Sequence, residues 1–207
     1  MGPISLPGAA WVGWQPIGPE GEPVSGGTCA LAVGGSECRP CLSHGITALI
    51  NQKQPILDAI SDLTSPTGTT NIPQGLGWAW RVLKPGAPFT EALLNPTFER
   101  KQAIVLLSDG ENVAGSGDGY KTTLGTGTPG QTAMDQRLVE LATNIKADGV
   151  IIYVIQFANS GSALQNLLKQ VARGPVSPYY HFAPDAATLQ SVFTEIANHL
   201  SELRLSK

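Results

Sequence analysis

From residue 46 onward the chain alternates short apolar runs with stretches in which apolar side chains recur every three or four positions. Ile46–Ile50 reads as a strand. Ile56, Leu57, Ile60 and Leu63 follow at helical spacing, and Leu76, Ala79, Trp80 and Leu83 form a second stripe closed by Pro85-Gly86. Ala103–Leu107 is an unbroken apolar run, the pattern of a parallel strand covered on both faces. Leu138, Leu141, Ala142 and Ile145 mark a helix ending at Asp148-Gly149, and Val150–Phe157 reads as a second central strand. Leu164, Leu167, Leu168 and Val171 predict a helix punctuated by Gly174-Pro175. Tyr179–Phe182 then reads as a short edge strand. Asp185 is placed to cap a last helix carrying Leu189, Val192, Phe193, Ile196, Leu200 and Leu203. Strand and helix alternate without internal repeats, which predicts an open α/β sheet with right-handed crossovers.

Residues 1–45 behave differently. They hold no sustained period of 2 or 3.6 and read as Pro/Gly-rich coil with short extended pieces such as Ala30–Val33. The chain therefore divides into an irregular segment, 1–45, and an α/β domain, 46–207. Ser108–Thr132 is glycine-, serine- and threonine-rich, too polar to pack, and a loop of that length is functional or mobile.

Composition narrows the classes. The 207 residues are 42% hydrophobic, with a mean hydropathy near zero, which excludes a disordered chain. The run Val150–Ile155 is far shorter than the roughly 20 residues of a membrane-crossing helix, so no membrane span is expected. A net charge of −3 and a charged fraction of 14% leave no basic field for nucleic acid or anionic lipid. Residues 1–20 contain no Lys or Arg, so the charged start of a secretory signal is missing, and the chain reads as a segment of a longer protein.

Cys29, Cys38 and Cys41 lie in the glycine-rich amino-terminal stretch. The expected state is one disulfide joining two of them, with one thiol left over. Reduced thiols, a zinc site completed by His44, and a redox pair at Cys38-Arg39-Pro40-Cys41 are the alternatives.

In an open α/β sheet, ligands bind outside the carboxyl ends of the strands. Ser108-Asp109-Gly110-Glu111-Asn112 stands at such an end, and Gly68–Gly75 leads into the tryptophan-bearing helix. Taken alone, Asn71 with Gln74 is a capping box and Asp109-Gly110 a turn. Gly115-Ser116-Gly117-Asp118-Gly119 has no helix directly after it, as a nucleotide loop requires. Asn159-Ser160-Gly161-Ser162 opens a helix and reads as a plain cap. His44, His181 and His199 are scattered, with His199 on the polar side of the last helix, and no nucleophile–base set is arranged for catalysis. Trp78 and Trp80 read as core and rim of one helix, with partner binding as the alternative.

Together, "TNIPQGL" before a helix, "AIVLLSDGEN" after it, then "VIIYVIQF" and "YYHFAPDAATLQSVFTEIA", resemble the second half of a von Willebrand factor A-type domain. "GLGWAWRVLKPGAPF" and the closing "LSELRLSK" are similar to TadG-like proteins of Tad (Flp) pilus assembly systems. The resemblance spans roughly residues 46–207. It implies a Rossmann-like, doubly wound, mostly parallel sheet in a non-enzymatic interaction domain that binds a protein partner of the pilus or adhesion system. It further implies a place in the bacterial cell envelope, periplasmic or at the surface, and a full-length form with an amino-terminal membrane anchor.

The same resemblance implies a divalent cation such as magnesium, held by an Asp-x-Ser-x-Ser segment, a threonine and an aspartate. Here the threonine is Thr70 and the aspartate Asp109, while Asp-x-Ser-x-Ser has no counterpart; Asp62-Leu63-Thr64-Ser65 lies at a helix end in the wrong order. A metal is therefore expected to bind weakly. The family's first strand is central, beside the one carrying Asp109, so the sheet is expected to lack its first strands. It then exposes an edge, fills the gap with residues 1–45, or pairs with another chain, including a second copy. Pro3, Pro7, Pro16, Pro19 and Pro23 make residues 1–45 a poor filler. Two other functions stand beside this one: a metal-assisted hydrolase using Asp109, with Glu111 or Asp118 in support, and a purely structural surface scaffold.

Overall fold

The structure is a computed structural model and describes residues 24–25, 28–29, 46–63, 70–86, 89–92, 100–114 and 127–205. In the amino-terminal segment, β1 (Val24–Ser25) pairs antiparallel with β2 (Thr28–Cys29). Cys29 thus has its backbone in β2. Cys38, Cys41 and His44 lie outside the described residues, and with them the cysteine pairing.

A parallel sheet carries the rest, in the order β3 (Ala103–Ser108), β4 (Ile151–Phe157), β5 (Tyr180–Ala183). Ala103 faces Ile151 and Ser108 faces Gln156, while Val154 faces Tyr180 and Phe157 faces Ala183. Among the described residues the helices are α1 (Lys53–Ser61), α2 (Ile72–Leu83), α3 (Gly127–Ala147), α4 (Ser162–Val171) and α5 (Ala186–Leu205).

Alternation along β4 splits the core into two layers. Ile152 and Val154 join Ile104 with Leu76 of α2, Leu138, Ala142 and Ile145 of α3, and Leu164 and Leu168 of α4. Tyr153 and Ile155 point the other way, onto Val192 and Ile196 of α5. Helices on both faces of a parallel sheet make the doubly wound architecture that the alternating pattern predicts.

Three local readings are corrected. Ala103–Leu107 is not covered on both faces: Val105 and Leu107 are 39% and 42% exposed. Their register partners on β4 are Tyr153 and Ile155, so they share the α5 side, yet α5 packs on β4 and β5. Ile46–Ile50 is not a strand, because no ladder partner meets it among the described residues, and Ile46, Leu49 and Ile50 are exposed. The loop expected over Ser108–Thr132 is shorter at its far end. The third helix begins at Gly127, with Pro129 near its start and Gly130 and Met134 buried.

The helix ends obey local rules. Asp185 Oδ1 accepts from Thr188 N at 2.7 Å, the cap expected for α5. α3 closes with Gly149 at φ +80°, Gly149 N donating to Lys146 O at 3.1 Å and Val150 N to Ile145 O at 3.3 Å. Those two bonds form a Schellman motif, which needs a left-handed residue, hence the glycine.

Candidate functional site

β3 delivers its carboxyl end into a tight turn. Ser108 Oγ donates to Gly110 O at 2.9 Å, and Asp109 projects to solvent from the turn. Thr70, immediately before α2, lies against it: Val113 N donates to Thr70 O at 2.9 Å. Thr70 Oγ1 lies 3.4 Å from where a Cβ on Gly110 would sit, in contact range of the turn. The sequence-predicted pair, Thr70 and Asp109, is thus brought to one end of the sheet from segments far apart in the chain.

Asn112 holds this arrangement. Its side chain is fully buried; Oδ1 accepts from Ile72 N at 2.8 Å, and Nδ2 donates to Asp135 Oδ1 of α3 at 2.7 Å. One amide therefore ties the turn after β3 to the start of α2 and to α3. Asn71 Oδ1 accepts from Gln74 N at 3.0 Å, the cap that the sequence predicts at the head of α2.

Glu111 faces the neighbouring strand end. Its Oε2 accepts from Gln131 Nε2 at 3.2 Å, and its Oε1 lies 3.9 Å from the Cβ position of Gly161. The loop after β4 is set by Gln156, whose Nε2 donates to Asn159 O at 2.5 Å and to Gly161 O at 3.3 Å. Tyr180 of β5 donates its hydroxyl to Gln156 Oε1. Ala158 is held at φ +57°, a left-handed conformation costly for a residue with a Cβ, at the same end of the sheet. Asn159-Ser160-Gly161-Ser162 serves as the turn into α4, with Gly161 N donating to Asn159 Oδ1 at 2.8 Å.

The electrostatics are acidic. Burial pushes the Asp135 carboxyl above its ordinary range, the Asn112 hydrogen bond opposes the rise, and the charge of Glu111 adds to it. Burial likewise raises the Tyr180 hydroxyl, keeping it a donor.

Magnesium asks for near-octahedral oxygen coordination, and the resemblance supplies Thr70 and Asp109 alone toward it. Asn112 Oδ1 is engaged by Ile72 N, and Asp135 Oδ1 by Asn112 Nδ2. Among the described residues no group of three or more His, Cys, Asp or Glu side chains is placed to hold a metal ion. Glu111 is engaged by Gln131, and Asp118, with the whole Gly115–Gly119 stretch, lies outside the described residues.

Other candidates are engaged elsewhere. His199 borders the polar side of α5, beside Glu195 and Asn198, and turns its ring inward: its Nδ1 meets Tyr153 Oη at 2.7 Å, and the ring packs edge-on against Tyr153 and Tyr179. Burial pushes the Tyr153 hydroxyl up to about 12, so it stays protonated at that contact. His181 is buried, with Nε2 2.9 Å from Pro178 O. Sequence reasoning missed Asn112, Asp135, Gln156 and Tyr180. A lone glutamine inside the apolar run Ile151–Phe157 was the available signal, since a buried amide must be bonded to something.

The chain matches the family model of the von Willebrand factor type A domain over residues 46–195. No curated protein and no solved structure matches it. The family match takes in the parallel sheet and both Thr70 and Asp109, and no helix among the described residues is long and apolar enough to cross a membrane. By this match over most of its length, and by the doubly wound sheet that carries Asp109 at a strand's carboxyl end, the chain belongs to the von Willebrand factor type A domain family.

Proposed function

We propose that this chain is a non-enzymatic protein-interaction domain acting in Tad/Flp-type pilus assembly at the bacterial cell envelope. Its partner, a protein of that assembly, docks at the carboxyl-end crevice formed by Thr70, Asp109 and Glu111. Type A domains mediate protein interactions, which supports the general reading. The pilus role and the envelope location rest on the likeness of "GLGWAWRVLKPGAPF" and "LSELRLSK" to TadG-like proteins. The observation that carries the choice of surface is the buried Asn112 brace, which rigidly presents an exposed carboxylate at the junction of strand β3 and helices α2 and α3.

A photo-crosslinking amino acid at position 109, placed in the protein within a pilus-bearing bacterium, tests this. Adducts with a pilus-assembly component, lost when Asn112→Ala loosens the brace, are the expected result. Absence of any adduct, together with a phosphatase or esterase activity abolished by Asp109→Ala, would overturn it in favour of metal-assisted hydrolysis.

A further inference from the structure

Along the flank of the sheet, α2 and α3 enclose a groove of about 490 Å³, within the size range of specific ligand pockets. α2 and its exit contribute Trp78, Trp80, Arg81 and Lys84, and α3 contributes Arg137 and Leu141. Every ionisable side chain lining it is a cation, on a chain whose net charge is −3. The cations are layered on aromatic faces: the Arg81 guanidinium lies 4.9 Å from the Trp78 ring centre, and Lys84 Nζ 5.7 Å from that of Trp80. Lys84 is also paired with Asp148 at 2.8 Å, which leaves the two arginines to carry the local field.

Trp80 and Gly77 complete the wall. Trp80 packs against the core with its Nε1 buried and without a hydrogen-bond partner among the described residues, so the indole offers the groove no donor. Gly77 forms part of the wall; a Cβ there would meet Arg81 Nη1 at 3.4 Å and Leu141 at 3.7 Å, ordinary contact distances. Tryptophan and arginine are the residues in which interface binding energy concentrates.

We propose that the α2–α3 groove binds a peptide segment of a partner protein in which an acidic side chain stands beside an aromatic or aliphatic one. The carboxylate sits between Arg81 and Arg137, and the apolar neighbour covers Trp78 and Leu141. A bare inorganic anion engages the arginines but leaves Leu141 and the rest of the apolar lining uncovered, and a nucleic acid meets a net negative molecule. The groove begins at Asn71, next to Thr70, but neither Asp109 nor Glu111 lines it.

Panning a display library of random 12-residue peptides on the intact chain tests the proposal. Enriched sequences are expected to place Asp or Glu within a few positions of Phe, Trp or Leu. A labelled copy of the strongest sequence is expected to bind at least tenfold more weakly to Arg81→Glu/Arg137→Glu, and a copy with Asn or Gln for its acids at least tenfold more weakly to the unaltered chain. Arg81 and Arg137 are exposed, so the double variant keeps its melting temperature, and Trp78→Ala gives a second, uncharged disruption of the same groove. Asp109→Ala leaves this binding unchanged. No enrichment, enrichment without acidic residues, or indifference to the arginine reversals would overturn the groove. Loss of binding with Asp109→Ala would move the peptide to the crevice and overturn it as well.

Discussion

Asp135 and Asp185 respond to acid with opposite signs. Burial raises the folded pKa of Asp135 above the ordinary carboxylate value of 3.8, so the native chain takes up that proton more readily than the unfolded one. Its contribution is fully present below that value and is lost as pH rises through the raised pKa. Asp185 is held below the ordinary value chiefly by the hydrogen bond from Thr188 N, so its contribution is present above 3.8 and is lost as pH falls through the lowered pKa. Asp135→Asn keeps a carbonyl oxygen for Asn112 and removes the buried charge. Urea unfolding across the acid range is expected to show equal or greater stability at neutral pH and no remaining decline with rising pH through that window. A variant weaker at neutral pH would show that the carboxylate charge itself supports the brace. Magnesium belongs at this scale too. With Thr70 and Asp109 the donors offered among the described residues, calorimetry is expected to give binding no tighter than millimolar, about −4 kcal/mol; micromolar binding abolished by Asp109→Ala would contradict that. Thr70 and Asp109 were legible only through the resemblance to a type A domain, which pairs two residues far apart in the chain. Asn112 and Gln156 were not, because their partners come from other elements and only the folded chain brings them within bonding distance.

Among the elements, periodicity was a good guide to helices and a poorer one to what covers them. The stripes at Leu76–Leu83, Leu138–Ile145 and Leu164–Val171 all form helices with those residues inward. The stripe at Ile56–Ile60 forms a helix as well, yet α1 buries only Ala59. Apolar spacing records a face that wants cover, not the presence of the cover. Ile46–Ile50 fails as a strand for the same reason, since a strand exists only where a ladder receives it. Two glycines separate intrinsic helix cost from backbone geometry. Gly75 sits inside α2 with nothing within 4 Å of a Cβ, so Gly75→Ala is expected to stabilise by about 0.5–1 kcal/mol. Gly149 has equal room but φ +80°, so Gly149→Ala is expected to destabilise by about 1–2 kcal/mol. Thermal melts of both variants check the pair; like-signed shifts would contradict the Schellman assignment.

Across the whole molecule, the sheet is asymmetric. Among the described residues β3 pairs with β4 alone, and its Val105 and Leu107 side lies open, as do Ile56, Leu57 and Ile60 of α1. An unpaired strand edge beside an apolar face invites another chain. Sedimentation of the isolated protein is expected to show concentration-dependent self-association, suppressed by Val105→Lys with Leu107→Lys. A monomer at every concentration would mean that this side is already satisfied. The resemblance to a type A domain made the open edge foreseeable. The apolar run of Ala103–Leu107 pointed the other way, because hydrophobicity alone does not say whether the covering layer belongs to the same chain.

The central position of β4 also sets a clock within the molecule. It is bonded on both sides and roofed on both faces, so its amides become accessible to deuterium only when the core itself comes apart. Alternate amides of β3 point away from β4, where no strand among the described residues meets them, and require no such event. In exchange measured by mass spectrometry, the peptide containing Ile152–Ile155 should therefore be labelled last, at the rate of global unfolding. The Ala103–Ser108 peptide should be labelled earlier, until something occupies its free side.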